Sequence, residues 1–160
     1  MKKLVLYALL LGATLIFPVE GADVAKLLPV EVVQLDREGE AVVITTDAGT
    51  AGIGTTVEAA VENMKKTAEG VVFLDTANYL LVSAAAHSEI ENLKGHLKPS
   101  VRLCTQDVKI DLKEAAVFLG VHKPKLHLKD YGKGSELELL AEEDGRFILK
   151  EKMKKSENNA

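Results

Sequence analysis

Between Asp47 and Ser83 the spacing of apolar residues changes from that of a strand to that of a helix and back again, which few fold classes accommodate. Ala41–Thr46 reads as a strand, followed by a loop punctuated by Gly49, Gly52 and Gly54. Val57, Ala60, Val61, Met64 and Ala68 then recur on one helical face, with Glu62, Lys65, Lys66 and Glu69 on the other. Thr55-Thr56-Val57-Glu58 matches a capping box: the Thr55 hydroxyl accepts from a free amide and the Glu58 carboxylate reaches back to the cap. Gly70 is the expected stop. Val71–Leu74 and Asn78–Ser83, the latter containing Tyr79-Leu80-Leu81-Val82, fit either one long bent strand or two short ones, the second run being the main strand. A strand–helix–strand unit of this kind needs a sheet with helices packed on it.

The flanking sequence extends that unit. Val30–Leu35 and Ala41–Thr46 are joined by a short polar turn containing Gly39, which predicts an antiparallel hairpin. Ala84–Leu97 reads as a helix with Ile90, Leu93 and Leu97 inward, closed by Pro99. Val101–Thr105 is a strand. Asp111–Leu119 is a helix with Leu112, Ala115, Ala116 and Leu119 inward and Gly120 as its stop. Lys125–Lys129 alternates like a short strand, and Glu136–Leu140 with Arg146–Leu149 forms a hairpin about the Glu142–Gly145 turn. The expected fold is α/β, with α+β also open: a mixed sheet, an N-terminal β-hairpin, a β-α-β-α-β-α middle and about three helices.

The termini read differently from the body. Lys2 and Lys3 precede an unbroken apolar run, Leu4–Phe17, which Pro18 ends. This is the pattern of a secretory signal over residues 1–21, and the run is short for a membrane span, which needs ~20 residues. Residues 22–149 form a single domain, and residues 150–160 a polar tail without core residues. The chain is thus expected to be exported, secreted or membrane-adjacent, with no stable membrane span once the signal is cleaved; an uncleaved anchor is the alternative. Cys104, the one cysteine, lies in an apolar run and reads as a small buried hydrophobe. A formal net charge of −4 argues against a general nucleic-acid binder, which needs a basic surface.

Candidate chemistry is sparse. Gly49, Gly52 and Gly54 before Thr55 and Thr56 place glycines at a helix start, where backbone amides can hold an anion. Their order is neither G-x-G-x-x-G nor that of a P-loop, and a flexible connection explains them too. His122 and His127 flank a proline and lack a metal-ligand pattern; His122 reads as the end of a helix. No nucleophile elbow surrounds Ser83 or Ser88. Lys94, Lys98, Arg102 and Lys109, with Lys123, Lys125 and Lys129, could face a membrane or an acidic partner, or simply water. No catalytic residues, metal site or cofactor are expected.

One resemblance accompanies this order of elements. Gly54-Thr55-Thr56-Val57-Glu58-Ala59-Ala60 opens a helix, and Val72-Phe73-Leu74-Asp75 and Tyr79-Leu80-Leu81-Val82 follow. The Glu89–Leu97 helix, Ser100-Val101-Arg102-Leu103 and Asp111–Ala116 come next. Together they resemble the amino-terminal domain of the spore-germinant-receptor C subunits, the Ger(x)C lipoprotein family, over roughly Val30–Leu119. The lipobox cysteine and later domains of that family are not found here, so the likeness is to a stand-alone, non-lipidated first domain. The resemblance implies an extracytoplasmic role in spore formation or germination and carries over no catalytic residue. The expected function is an exported, non-catalytic binding or assembly protein whose partner is another protein at the outer face of a membrane. The alternative is a small-ligand or anion receptor using the Gly49–Thr56 loop.

Overall fold

A computed structural model describes residues 26–132 and 134–151; the expected signal segment and nearly all of the polar tail lie outside the described residues. In chain order the strands are β1 (Leu27–Pro29), β2 (Val32–Glu38), β3 (Ala41–Thr46), β4 (Ala51–Gly54), β5 (Val71–Phe73), β6 (Tyr79–Ser83), β7 (Arg102–Gln106), β8 (Glu138–Glu143) and β9 (Arg146–Lys150). The helices are α1 (Val57–Thr67), α2 (Ile90–Leu93) and α3 (Leu112–Val121). Seven strands make one mixed sheet in the order β4-β3-β2-β6-β7-β8-β9, and β1 and β5 pair separately in parallel. The α/β reading is correct: β2, β6, β7 and β8 run parallel, and an antiparallel hairpin partner extends the sheet at each end.

The two faces of this sheet are covered by different helices. Val33, Leu35, Ile44, Leu80, Val82 and Leu103 point to one face and pack against α1 and α2. Val32, Tyr79, Leu81, Cys104 and Leu140 point to the other and meet α3 through Leu112, Ala115, Ala116 and Leu119. Central strands buried on both faces give the near-continuous apolar runs seen in the sequence. The terminal hairpin turns through Asp144 and Gly145 at φ 51° and 70°, the two positive-φ positions that a two-residue turn of matching twist requires.

Several boundaries differ from expectation, each for a physical reason. The α1 N-cap is Thr56, which accepts from the Ala59 amide, because Gly54 is still paired with Val42 and the chain needs both threonines to turn. Gly70 does not stop α1, which ends at Thr67; a Cβ at Gly70 would lie 2.4 Å from the Lys26 carbonyl, so glycine there lets β1 pass. Gly120 lies inside α3, which runs on to Val121 and is capped by His122. The Ala84–Leu97 helix is only one α turn, flanked by 3-10 turns at Ala84–Glu89 and Lys94–His96, although Ile90, Leu93 and Leu97 are buried as expected. Lys125–Lys129 contributes one antiparallel bridge, His127 to Arg102, before a 3-10 turn.

Candidate functional site

Only the first half of the glycine loop singled out in the sequence, Asp47–Thr50, is a turn. Ala51–Gly54 is the edge strand β4, paired antiparallel with β3. A Cβ at Gly52 would stand 2.1 Å from the Ala60 carbonyl oxygen, and one at Gly54 would stand 2.5 Å from the Ala60 amide. Both glycines are therefore consumed by the close approach of α1 to β4. Gly49 lies in a hollow beside Thr67, Ala68 and Glu69, at the carboxyl end of α1, where the helix dipole is negative. Thr55 and Thr56 lie at the opposite end of a helix about 16 Å long. The five residues do not converge, and the Thr56 hydroxyl is already bonded to Ala59.

The α1 side chains also finish the edge that β4 would otherwise leave open. Asn63 Oδ1 accepts from the Ile53 amide at 3.1 Å, and the Thr67 hydroxyl, which donates to the Asn63 carbonyl at 3.0 Å, lies 3.5 Å from the Ala51 carbonyl. The basic side chains near the middle of the chain are similarly spent. Lys94 bonds Glu91 and the Tyr131 carbonyl, Lys98 bonds Asn78 and the Thr76 carbonyl, and Arg102 bonds the Pro124 carbonyl. They tie loops to the sheet and do not form a basic face.

A polar cluster sits where the chain leaves β6 and β7, since the next helices go to opposite faces, the place where open α/β sheets carry ligand crevices. Here the Thr105 hydroxyl donates to the Val82 carbonyl at 2.9 Å, so its oxygen accepts from His87 Nε2 at 3.1 Å. Ser83 and Gln106, register partners on the α3 face, bury Oγ and Oε1 without a hydrogen-bond partner among the described residues. Cys104 lies beside them, and burial pushes its thiol far above the ordinary range, away from thiolate chemistry. Among the described residues no three His, Cys, Asp or Glu side chains gather as a metal site, and no helix is long and apolar enough to cross a membrane.

What stands out is the outer surface of α3. Val117 and Val121, one turn apart, are 75% and 74% exposed. Beside them Phe118 stacks on His122 at 4.5 Å and meets Phe147 of β9 at 5.8 Å. Between helix and strand runs a cleft of about 430 Å³ lined by Phe118, His122, Lys123, Phe147, Ile148 and Leu149. β9 is the end strand of the sheet, and its outer edge pairs with no strand among the described residues. The result is a continuous apolar strip next to an open strand edge. Leu112, Ala115, Ala116 and Leu119 identify the inward face of α3 from sequence alone; Val117 and Val121, beside Lys113 and Glu114 on the reverse side, were the available signal.

No protein-family model matches this chain, and no curated protein or solved structure matches it either.

Proposed function

We propose that this chain is a non-catalytic binding or assembly protein and that its protein partner docks on the α3–β9 surface. The observation that carries the reading is the exposure of Val117 and Val121 beside Phe118 and Phe147. Apolar strips rimmed by polar residues on an otherwise charged surface mark interaction sites. The neighbouring free edge of β9 offers backbone donors and acceptors to an added strand, with the α3 strip as its apolar floor. The likeness to germinant-receptor C subunits supplies the setting: an exported protein acting beside another protein at the outer face of a membrane, in spore formation or germination.

The test is site-specific photo-cross-linking in the producing cells, with the reactive side chain at Val121 or, as control, at Lys65 on α1. A discrete adduct from Val121 alone, lost when Val117→Asp is added, is the expected result. Adducts of equal yield from both positions, or none from Val121, would overturn the reading.

A further inference from the structure

The β1–β5 pair presents a second apolar surface, on the side of the molecule away from α3. Val72 and Leu28 point inward to the core shared with α1. The register pairs Leu27 with Val71 and Pro29 with Phe73, so these four apolar residues share the outward face of the two-stranded ladder. Val71 is 52% exposed and Phe73 43% exposed. A short parallel pair standing apart from the main sheet gains little from showing four apolar side chains to water.

Its place in the chain says what covers it. β1 begins at Leu27, and the apolar run Leu4–Phe17 ends only nine residues before it. A run of that composition behind two lysines partitions into a bilayer. Fully extended, the nine residues Pro18–Lys26 span about 30 Å at most. In the uncleaved-anchor form, where that run stays in the bilayer, β1 is the described element joined most directly to it. Phe73 supplies a large apolar side chain of the kind that buries at the headgroup–acyl boundary.

We propose that the Leu27, Pro29, Val71 and Phe73 face rests on the surface of a lipid bilayer and sets the orientation of the domain there. The proposal rests, for its setting, on the uncleaved-anchor alternative of the export reading above, but its test is made on the purified full-length protein and does not depend on localisation. Lys26, Glu69 and Asp75 nearby are of mixed sign, so the contact is driven by apolar area and is indifferent to ionic strength and to anionic lipid.

The chain has no tryptophan, so Phe73→Trp installs a single fluorescent reporter in the full-length protein. The probe is a phosphatidylcholine vesicle, with and without bromine on the acyl chains, and Val117→Trp on α3 is the control. The expected result is a blue shift of the Phe73→Trp emission on adding vesicles and loss of most of it with brominated lipid, unchanged by salt. Val117→Trp should be unaffected, and Val71→Asp added to Phe73→Trp should restore the unquenched spectrum. Val71→Trp repeats the measurement should Phe73→Trp fail to fold, as judged by circular dichroism. Absence of quenching at both positions, or equal quenching at position 117, would overturn the proposal. So would emission already blue-shifted before vesicles are added, which means the chain's own leading segment or a second copy covers the face. Failure of localisation alone, with quenching intact, would remove the export reading and leave the lipid-binding face standing.

Discussion

α1 and α3 are of similar length and cover opposite faces of one sheet, but their outward faces differ in kind. α1 turns Glu62, Lys65 and Lys66 to water, with Glu62 and Lys66 paired at 2.8 Å, while α3 turns out Val117 and Val121. The contrast extends to the sheet edges beside them. β4 is short, pressed against α1 through Gly52 and Gly54, and closed by Asn63. β9 keeps a free edge and half-buried Phe147, Ile148 and Leu149. The orphan oxygens of Ser83 and Gln106 are also on the α3 side. The α1 half closes its sheet edge and turns a charged helix to water, and its exposed apolar residues lie at Ile53 and on the β1–β5 pair. The α3 half leaves apolar helix surface, a strand edge and buried polar atoms without partners among the described residues.

That contrast can be broken most forcefully at the α1–β4 contact. Gly52→Val must move the backbone of Ala60, so a loss of ~3 kcal/mol or more is expected in denaturant titrations. A near-neutral result would mean that α1 does not sit tightly on β4. The caps come next. Asp111 accepts from both Lys113 and Glu114, whereas Thr56 accepts from Ala59 only. Replacing either by alanine should cost about 1 kcal/mol, Asp111 the more of the two. Ser83→Ala sharpens the comparison from the opposite side: deleting a buried hydroxyl without a partner should be neutral or raise stability by up to ~1 kcal/mol. Destabilisation there would show that the hydroxyl is bonded in solution. Val117→Asp with Val121→Asp should stay within ~0.5 kcal/mol of the parent in thermal melts, as exposed positions do.

The smallest effect is a titration. The Glu58 backbone amide and then the Thr56 hydroxyl hold the Glu58 carboxyl below its ordinary range. Its folded-state pKa is thus depressed, so its contribution is present above the unfolded value and is lost as pH falls through the folded one. NMR titration should find the Glu58 midpoint below that of a free glutamate. In Thr56→Ala it should move up, and an unmoved midpoint would remove the hydroxyl as a cause.

Much of the scaffold was legible because local pattern and tertiary role agree. The β2–β3 hairpin, the two-sided apolar runs of β6 and β7, the inward faces of α1 and α3, and the Asp144-Gly145 turn follow from periodicity and turn chemistry. β4 was not legible as a strand. Ala51-Gly52-Ile53-Gly54 has poor strand propensity, and pairing with β3 under α1 overrides it. β1 is three residues long and exists through its pairing with β5. For the site the failure is similar: glycines before a helix look alike in sequence whether they cradle an anion or admit a helix. Only the approach of Ala60 and Met64 to Gly52 separates the two. The exposed strip is present in the sequence as Val117 and Val121, but that these valines meet water is decided by the sheet beneath the opposite face of the helix.

The parallel pairing of β2 with β6 has a consequence for how the chain is made. Val32 to Leu35 are matched with Tyr79 to Val82, which are synthesised much later, while β3, β4 and α1 lie between them. A chain growing from its amino end can close the first hairpin and lay α1 upon it while the opposite edge of β2 stays unpaired and apolar. Loop-closure entropy makes such non-local pairings slow, and an unpaired apolar edge invites other chains. Refolding yield should therefore fall with protein concentration until Tyr79–Val82 has docked, and a product truncated ahead of Tyr79 would carry that sticky edge permanently.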